Sequence, residues 1–508
     1  MRATALPCPG WSSPPSQPPP SQAVRRDDIL ALFPGLSAEG LPDILGVTAD
    51  HRAVRPGFLF AALPGQRTDG ARFIPDAVAA GAAAILAPDG TDWPAGTEAR
   101  PLLHSADPRR ALALIAAAFH GAQPERVVAI TGTNGKTSTA DFHRQMMGHH
   151  AASLGTLGLI APGFPVGESL TTPDPVALHA TLSALHRAGI TDLAMEASSH
   201  GLDQRRLDGV RLAAAAFTNL TRDHLDYHGT LAAYRTAKLR LFDTLLPEAA
   251  PAVIHTEMEA ETLAALRAII TRRDLRGIEV GEAGRDIRLL AQRALPAGQV
   301  VTLEAFGTRR EVILAVPGRF QADNAVVAAG LAIGLGRGVE EVFAALARLA
   351  PVRGRMELAA TLPNGAAAYV DYAHTPDALA RLLAALRPHV APGARLHVLF
   401  GAGGDRDPGK RPLMGAAATA GADLVWITDD NPRSEDPAAI RAAILAAAPG
   451  ARDAGERAGA IARALEALGP GDVLAVAGKG HESGQTIADV TTPFDDAEVI
   501  RRLVGGAA

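Results

Sequence analysis

Cysteine is almost absent from this chain of 508 residues, since Cys8 is its only one. A single cysteine cannot form an intramolecular disulfide or a thiolate metal site, and such a low content is typical of a reducing compartment. Long apolar runs are also missing, because no stretch approaches the roughly 18 residues that a membrane span needs. The sequence therefore predicts a cytoplasmic protein without a membrane span.

Aromatic residues are scarce as well, at 4 %, whereas apolar residues make up 47 % and charged residues 20 %. This is a globular composition, and its Ala, Leu and Val content predicts small-residue helices packed on aliphatic strands. The net charge of −5 is mild, and no strongly basic tract is present. Both observations argue against a nucleic-acid partner. A chain of this length predicts two to four domains.

Changes of pattern along the chain predict four segments. Residues 1–23 form a Pro/Ser-rich tail that we expect to be disordered, and its prolines exclude a signal peptide. Residues 24–107 mix strands and short helices, 108–350 alternate strands with helices, and 351–508 contain four strand-then-loop units between Ala-rich helices. The alternation predicts an α/β fold with parallel sheets covered by helices. Residues 286–316 alternate like an antiparallel patch.

The most specific motif is TGTNGKTS, residues 131–138, between a predicted strand (VVAITG) and a predicted helix. Glycines let backbone N–H groups converge on phosphate oxygens, and the helix N-terminus adds positive potential. In such a loop Lys136 bridges the terminal phosphates and the Thr137 hydroxyl can ligate Mg²⁺. Ile130 stands where the usual loop has a glycine. The alternative is a Gly-rich turn with a surface lysine.

Three further segments carry residues with metal-binding chemistry. Glu196 ends a predicted strand and can ligate a hard cation, although a strand-end glutamate is more often solvated or salt-bridged. Lys238 lies in a helical pattern that by itself predicts a surface lysine. The segment FTNLTRDHLDYHG is either a metal or phosphate site or a polar loop with capping residues. Its charged and imidazole side chains are Asp223, His224, Asp226 and His228.

Together these segments resemble the Mur ligase family, with matching motifs from about residue 45 to the C-terminus. Its members are three-domain ligases that phosphorylate a substrate carboxylate with ATP and then let an amine displace the phosphate. The resemblance implies a central P-loop-type, mostly parallel sheet with helices on both faces. It also implies a Rossmann-like C-terminal α/β domain that binds the amino acid, and a smaller N-terminal α/β domain that binds a UDP substrate.

The resemblance implies ATP and Mg²⁺, with two ions expected, and a set of residues for each. The ATP-binding residues would be Gly132, Thr133, Asn134, Gly135, Lys136, Thr137, Ser138, Asn324, Arg355 and Asp371. The metal ligands would be Thr137, Glu196, His224 and Lys238, the last carrying a CO₂-derived carbamate (N6-carboxylysine). The catalytic residues would be Lys136, Glu196, His224 and Lys238.

The resemblance extends to members that add meso-2,6-diaminopimelate to UDP-N-acetylmuramoyl-L-alanyl-D-glutamate in peptidoglycan synthesis, a pathway that supports cell shape and division. The UDP-dipeptide contacts would be Ala49, His51, Gln66, Arg67, Thr68, Thr171, Thr172, Ser198, Gln204 and Arg206. The diaminopimelate contacts would be Arg406, Asp430, Asn431, Pro432, Arg433, Gly478 and Glu482.

Arg433, in the motif DNPR, decides the expected amino acid. Meso-diaminopimelate is lysine with a second carboxylate at its far end, and burying that charge without a partner is costly. A guanidinium binds a carboxylate bidentately and offsets the cost, and lysine would leave Arg433 unpaired.

Three alternatives remain at this stage. The same ligase chemistry could use L-lysine or another diamino acid, which Arg433 argues against. Folylpolyglutamate synthetase shares the phosphate loop and the carbamate, but the diaminopimelate and UDP segments argue against it. A non-catalytic ATP-binding scaffold would need the phosphate loop alone. We expect a monomer, and His374 is a candidate general base by position.

Overall fold

The structure is a computed structural model that describes residues 26–32, 41–65, 68–165, 167, 170–295, 297–488 and 490–505. The predicted tail and Cys8 lie outside the described residues. The chain forms two compact units. The first unit comprises Met1–Ile254 and Met258–Ile278, and the second His255–Glu257 and Glu279–Ala508.

The first unit begins with a four-stranded parallel sheet in the order β1-β2-β3-β4. The mixture of strands and short helices predicted for residues 24–107 is confirmed by strands β1–β4 and helices α1 and α2. Two 3-10 turns also occur, at His51–Ala53 and Gly70–Phe73. The elements are α1 (Arg26–Leu32), β1 (Gly46–Thr48), β2 (Phe58–Ala61), α2 (Ile74–Ala79), β3 (Ala84–Pro88), β4 (Leu102–Ser105) and α3 (Pro108–His120).

The larger sheet of the first unit has the strand order β7-β6-β8-β5-β9-β10. Its described pairs are parallel except that of the hairpin β6–β7, which confirms a mostly parallel sheet. The strands are β5 (Arg126–Thr131), β6 (Ala151–Gly155), β7 (Gly158–Ile160), β8 (Asp192–Glu196), β9 (Leu212–Phe217) and β10 (Pro251–His255). The helices are α4 (Lys136–Met147), α5 (Pro175–Arg187), α6 (Ser199–Asp203), α7 (Leu225–His228), α8 (Leu231–Arg240) and α9 (Ala260–Arg272), with a π-helical turn at Leu241–Leu245.

Burial on both faces explains the continuous apolar runs of this sheet. Five of the six residues of β5 are buried, so its sequence does not alternate. Because β5, β8 and β9 run parallel, their carboxyl ends lie at one edge of the sheet, where ligands bind in open α/β folds. That edge carries the phosphate loop, Glu196 and the segment after β9.

The second unit contains an antiparallel meander, β12–β13–β14, which confirms the predicted antiparallel patch. Strand β11 (Arg276–Gly281) includes residues of both units. Helix α10 begins directly after Gly318, whose φ is 80°. The elements are β12 (Ile287–Leu295), β13 (Gly298–Ala305), β14 (Thr308–Leu314), α10 (Arg319–Gly334) and α11 (Val339–Leu346).

A six-stranded sheet follows, in the order β15-β16-β20-β17-β18-β19, with only the β15 pair antiparallel among its described pairs. The four predicted strand-then-loop units are confirmed as β16, β17, β18 and β20. The strands are β15 (Glu357–Thr361), β16 (Ala367–Asp371), β17 (Leu396–Phe400), β18 (Leu424–Thr428), β19 (Arg452–Gly455), β20 (Val473–Ala477) and the separate hairpin β21 (Gly484–Ile487) and β22 (Val490–Pro493). The helices are α12 (Pro376–Leu386), a 3-10 turn (Arg387–His389), α13 (Lys410–Gly421), α14 (Pro437–Leu445), α15 (Arg457–Glu466) and α16 (Asp496–Gly505).

Among the residues that the structure describes, none of the helices combines the length and the apolarity that crossing a bilayer would take. The boundary between the two units does not coincide with the predicted domain boundaries at 107/108 and 350/351, which stay predictions.

Candidate active site

The loop after β5 depends on two glycines. Gly132 has a φ of 143°, and a Cβ built there would lie 2.0 Å from the Thr218 hydroxyl oxygen. Gly135, the N-cap residue of α4, has a φ of 86°. Both backbone conformations favour glycine. Helix α4 then begins at Lys136, so the loop ends in a helix N-terminus, the geometry that binds phosphate.

Residues after β9 hold this loop from one side. The backbone N–H of Thr133 donates to Asn219 O (2.8 Å) and that of Asn134 to Asn219 Oδ1 (3.0 Å). The Thr218 hydroxyl donates to Asn134 O (2.6 Å). Sequence reasoning missed Thr218 and Asn219 as loop supports, although both lie in the FTNLTRDHLDYHG segment.

The Lys136 side chain folds back over the loop. Its Nζ donates to Gly132 O at 3.0 Å and to Thr133 O at 2.8 Å. The ammonium group is thus held at the glycine turn, where it can neutralise an anion on the loop.

Glu196 and Thr137 are brought together as the sequence predicted. Glu196 is 2 % exposed at the end of β8, and its Oε1 accepts from the Thr137 hydroxyl (2.8 Å) and from the Thr156 N–H (2.8 Å). Its Oε2 accepts from the Thr156 hydroxyl at 3.2 Å. A Cβ on Gly155 would lie 2.2 Å from Glu196 Oε1, so this approach requires glycine. Buried hydroxyl and carboxylate oxygens are the donor set that Mg²⁺ prefers. Sequence reasoning missed Thr156.

Lys238 is not on the surface, although its helical pattern alone favoured that position. Its side chain is 1 % exposed in α8, and Nζ donates to Gly132 O at 2.7 Å and lies 4.5 Å from the centre of the Tyr234 ring. Burial, and next the charge of Lys136, lower the pKa of Lys238 well below its usual value. A lysine in this environment favours the neutral amine, which is the nucleophilic form.

His224 also lies near the Tyr234 ring. Its φ is 52°, its ring centre is 6.1 Å from that of Tyr234, and Asp223 approaches its Nε2 at 3.6 Å. His200, which the sequence did not single out, packs edge-on against His224 at 5.0 Å. The structure therefore places His224 and Lys238 against the same aromatic ring. As a metal ligand, the imidazole nitrogen of His224 is softer than the carboxylate oxygens of Glu196.

A cavity of about 490 Å³ in the first unit collects several of the predicted UDP-dipeptide residues. Ala49, Gln204 and Arg206 line it, and Asp174, Arg109 and Arg187 join them. The rest of the lining is Val47, Thr48, Asp50, Ala53, Leu63, Leu112, His120, Pro175, Val176, Ala177 and Ala180. Apolar walls with a few charged groups are typical of a ligand pocket.

Hydrogen bonds tie this cavity to Glu196. Arg206 donates to Thr172 O and to Gln204 Oε1, each at 2.7 Å. The Thr172 hydroxyl donates to Glu196 O (2.8 Å) and accepts from the Ser198 N–H (3.0 Å). Burial lowers the pKa of Arg206 from its ordinary value. Thr171 is another of the predicted UDP-dipeptide residues, and its hydroxyl oxygen lies 3.2 Å from that of Thr156.

The remaining predicted UDP contacts are not gathered in the same way. The His51 ring stacks on Phe73, with centroids 4.1 Å apart and planes 3° apart, outside the cavity lining. Thr68 is exposed, and its carbonyl closes a turn onto the Gly65 N–H at 3.1 Å. Gln66 and Arg67 lie outside the described residues.

In the second unit, Asp371 ends β16 with both carboxylate oxygens bonded. Oδ2 accepts from the Met356 N–H and Oδ1 from the Ala373 N–H, each at 2.8 Å. Burial raises the pKa of Asp371, while the Arg355 charge and these bonds act against the rise. The Arg355 guanidinium lies 4.8 Å from the centre of the Tyr372 ring.

Asn324 and Arg355 are linked through Gln321. The Gln321 side chain donates to Arg355 O (2.9 Å) and accepts from the Asn324 amide (3.0 Å), and both amides are buried on α10. Asn324 and Arg355, which were predicted on separate segments, therefore join one hydrogen-bonded group through Gln321.

Arg433 sits in the loop after β18 with a φ of 51°, and the hairpin β21–β22 holds it there. Its N–H donates to Thr486 O (3.1 Å) and its carbonyl accepts from the Ala488 N–H (2.7 Å). Its guanidinium donates to Gly404 O at 2.8 Å. A Cβ on Gly403 would lie 2.9 Å from that guanidinium and 3.8 Å from Arg406 Cγ, so both arginines border Gly403.

The loops after β18 and β20 meet side by side. Asn431 donates to Glu482 Oε2 (2.9 Å), and a Cβ on Gly478 would lie 2.7 Å from Asp430 Oδ2. All the predicted diaminopimelate residues belong to these loops or to the one after β17, and a Cβ on Gly404 would lie 1.8 Å from the Pro432 carbonyl.

His374, the candidate base, has its Nδ1 2.8 Å from Tyr372 O. A carbonyl oxygen only accepts, so Nδ1 carries the proton and Nε2 keeps its lone pair. Burial lowers the pKa of His374, which favours this neutral form.

Comparison with known proteins adds three matching family models and many similar chains. The models are the Mur ligase middle domain (residues 130–332), the Mur ligase glutamate ligase domain (354–480) and the Mur ligase family catalytic domain (43–120). The UDP-N-acetylmuramoyl-L-alanyl-D-glutamate--2,6-diaminopimelate ligase of Caulobacter vibrioides is 54 % identical over 474 residues, covering 91 % of this chain and 96 % of that protein. The protein of the same name from Bradyrhizobium diazoefficiens is 53 % identical over 470 residues, covering 90 % and 94 %.

Two solved structures agree with this fold. A structure of a UDP-N-acetylmuramoyl-L-alanyl-D-glutamate--2,6-diaminopimelate ligase has a TM-score of 0.71 at 30 % identity, covering 96 % of this chain and 99 % of that one. The MurF ligase of Thermotoga maritima in complex with ADP has a TM-score of 0.60 at 19 % identity, covering 91 % and 98 %, and bears on the fold alone.

Proposed function

The chain belongs to the Mur ligase family, and we propose that it ligates meso-2,6-diaminopimelate to UDP-N-acetylmuramoyl-L-alanyl-D-glutamate with ATP in peptidoglycan synthesis. As a member it is an ATP-dependent, amide-bond-forming ligase. Its chain spans nearly the whole length of relatives that carry this activity in their names.

The observation that carries the choice of amino acid is Arg433, fixed at both backbone groups by the hairpin β21–β22. Arg406 borders the same glycine with its Cγ, so a second arginine lies close to Arg433. A ligand with a distal carboxylate gains a bidentate ion pair there, whereas L-lysine leaves the cation uncompensated. This argument favours diaminopimelate over L-lysine.

The first step is proposed to be phosphoryl transfer. An oxygen of the glutamyl γ-carboxylate attacks the γ-phosphorus of ATP, the bond to the β,γ-bridging oxygen breaks, and ADP leaves with its electron pair. Because two anions must approach, the Lys136 ammonium and the α4 N-terminus supply the counter-charge. The hydrogen bonds of the loop to Asn219 keep these groups oriented.

The oxygen donors of Thr137 and Glu196 fit Mg²⁺, because they are buried, converge at 2.8 Å and are hard ligands. Bound there, the ion would neutralise phosphate charge. Thr156 orients the Glu196 carboxylate by donating to both of its oxygens.

A second ligand set is proposed at Lys238, in the form of a carbamate. The neutral amine attacks the carbon of CO₂, the electrons of one C=O bond move to oxygen, and one N–H proton leaves to solvent. The product is an anionic oxygen ligand in place of a cation, and His224 lies against the same aromatic ring. The lowered pKa of Lys238 supports this step.

The amide then forms on the acyl phosphate. The neutral amine of diaminopimelate attacks the acyl carbon, a tetrahedral intermediate forms, and phosphate leaves as the amide closes. The amine proton must go to a base, and His374 Nε2 is the candidate, since its Nδ1 is committed to Tyr372 O.

The cavity lined by Ala49, Gln204 and Arg206 is proposed for the UDP-dipeptide. Asp371, Arg355 and Asn324 are proposed for the nucleotide. The cytoplasmic location and the monomeric state also remain proposals, the first supported by a reaction that consumes ATP and a UDP-linked precursor.

The deciding experiment is a ligation assay with the purified protein, ATP, Mg²⁺, the UDP-dipeptide and a panel of meso-diaminopimelate, L-lysine and L-ornithine. We expect a UDP-tripeptide by mass spectrometry with meso-diaminopimelate, and phosphate release that needs both substrates. Preference for L-lysine would overturn the amino-acid assignment, and nucleotide binding without any ligation would favour the scaffold alternative.

A further inference from the structure

Lys479 is a cation with no exposed surface in the second unit, and the proposed mechanism does not use it. It follows β20 in the motif GKGHE, between Gly478 and Glu482. Its Nζ donates to Asn431 Oδ1 (3.2 Å), to Glu482 Oε2 (3.2 Å) and to Gly484 O (2.6 Å). An ammonium group has three donors, so each of them has an acceptor.

These bonds reach two side chains proposed to hold the amino acid. Glu482 Oε2 accepts from Lys479 and from the Asn431 amide, so this oxygen is committed inside the protein. The Glu482 side chain is 34 % exposed, which leaves its outer part open to a ligand. Asn431 is fixed as well, because its Oδ1 also accepts from the Thr486 N–H at 2.9 Å.

Charged groups of both signs surround this region, and besides the proposed ligand contacts they include Asp405 near Arg433 and Lys410 near Asp430. The proposed diaminopimelate residues contain two acids and two bases, which are Asp430, Glu482, Arg406 and Arg433. Two neighbouring ion pairs, Arg411–Glu435 and Arg457–Asp496, each cancel internally. Lys479 pairs with Glu482 at 3.2 Å, and replacing it with a neutral residue would remove one positive charge from a buried position, where salt screens little.

The two competing amino acids differ by one charge in the form that reacts. With the attacking amine neutral, diaminopimelate has two carboxylates and one ammonium, a net charge of −1. L-lysine in the same form has one of each, a net charge of 0. Any unit of positive charge near the site therefore favours diaminopimelate over L-lysine, whatever the contact it makes.

We propose that Lys479 is a specificity-determining residue that favours the doubly carboxylated amino acid through its buried charge while it positions Glu482 and Asn431. The inference rests on the proposed function. It assigns part of the selection to a side chain that need not touch the ligand, in addition to the direct ion pair at Arg433.

The test compares Lys479→Gln and Lys479→Met, which remove the charge, with the matched control Lys479→Arg, which keeps it. The measured quantity is the ratio of kcat/KM for meso-diaminopimelate to kcat/KM for L-lysine, with the KM for ATP as a second readout. We expect the ratio to fall about tenfold in both neutral variants, the effect of one unit charge at about 10 Å with an effective dielectric near 20. It should stay within about threefold in Lys479→Arg, and the KM for ATP should not change.

Equal losses with both amino acids would overturn the proposal, because a structural role alone lowers both rates together. Neutral variants that fail to fold would also overturn it in favour of a stabilising role. If the unchanged enzyme does not prefer diaminopimelate, the proposed function itself fails. If it does and the neutral variants keep the full preference, only the role of Lys479 fails.

Discussion

Lys238 holds its ammonium nitrogen inside the protein, against Gly132 O and over an aromatic ring, where the charged form is disfavoured. A carbamate would replace this disfavoured cation with an anionic metal ligand. We expect Lys238→Ala to lose at least about 100-fold in kcat, because the second set of oxygen ligands disappears. Added acetate should restore part of the activity by supplying a carboxylate in the space that the side chain leaves.

The control for this prediction is Lys136→Ala, which removes the other lysine of the loop. Acetate should not rescue it, because a cation is missing there. Full activity of Lys238→Ala without any added acid would exclude the carbamate.

Arg433 gives a second prediction at the same scale. Arg433→Ala should lower kcat/KM for meso-diaminopimelate by about 100-fold, since a buried carboxylate loses its partner, and should change the L-lysine value little. Arg433→Lys keeps the positive charge but loses the planar guanidinium that binds a carboxylate bidentately. Its kcat/KM for meso-diaminopimelate should therefore lie between those of the unchanged enzyme and Arg433→Ala. Steady-state kinetics with both amino acids measure the effect, and unchanged discrimination in Arg433→Ala would contradict it.

The residues that sequence reasoning found are those that stand in contiguous motifs, such as the phosphate loop and DNPR. Those it missed act across the fold. Thr156 contacts Glu196 from 40 residues away, and Lys479 contacts Asn431 from 48 residues away. Nothing in the local pattern marks Thr156, and the motif GKGHE that contains Lys479 does not reveal its contacts, because they exist only once the strands are side by side. The burial of Lys238 was hidden for the same reason.

At the scale of elements, strands with buried faces and capped helices were predictable. Helix α5 has Asp174 at its N-cap, and the Asp174 carboxylate accepts from the Val176 and Ala177 N–H groups. Pro175 follows in the first turn. An aspartate followed by a proline is a recognisable sequence pattern for the start of a helix. The edge strands β15 and β19 were missed. In β19 only one of four residues is buried, so its pattern carries little signal.

An ion-pair network of the second unit, formed by His255, Glu257 and Asp323, makes a pH prediction. His255 Nε2 lies 3.0 Å from Glu257 Oε2 and 3.6 Å from Asp323 Oδ1, and Arg319 pairs with Asp323 at 2.9 Å. Burial acts to lower the pKa of His255, but the neighbouring carboxylates of Asp323 and Glu257 raise it to about 9. For Glu257, burial acts to raise the pKa, but the neighbouring His255 ring and the hydrogen bond from the Ala283 N–H lower it to about 2.

The signs of these two shifts define a window of stability. The raised pKa of His255 stabilises the fold fully below its ordinary value of 6.5, and this is lost as the pH rises through about 9. The lowered pKa of Glu257 stabilises the fold above 4.5, and this is lost as the pH falls through about 2. Both contributions are complete between pH 4.5 and 6.5.

We therefore expect His255→Gln to be destabilised by on the order of 3 kcal/mol near pH 6, since 2.5 pKa units correspond to about that energy. The difference in unfolding free energy from the unchanged protein should shrink towards pH 10. Urea unfolding at pH 6, 8 and 10 measures it, and Arg310→Gln, which breaks an exposed pair with Glu340, is the control with no such pH dependence. A difference that stays constant over this range would contradict the network.

At the scale of the whole molecule, the proposed function divides three ligands among separate groups of residues. The phosphate loop and the cavity at Arg206 belong to the first unit, and the loops at Arg433 belong to the second. Variants of each group should therefore lose the response to one ligand and keep the response to the others. Such a selective loss distinguishes a binding defect from a general loss of stability. An activity measurement alone cannot make that distinction, because both defects lower the rate.

Thermal unfolding makes the division measurable, because a ligand that binds only the native state stabilises it by about 2.7 kcal/mol at 100 times its Kd. Lys136→Ala should lose the rise in Tm with a non-hydrolysable ATP analogue and keep the rise with the UDP-dipeptide. Arg206→Ala should do the reverse, because its guanidinium holds Thr172 and Gln204 at the cavity. Arg433→Ala should keep both rises and lose only the further rise with meso-diaminopimelate. If Lys136→Ala and Arg206→Ala lost both rises together, the two ligands would not have separate sites, and the assignment of the 490 Å³ cavity to the UDP-dipeptide would fail.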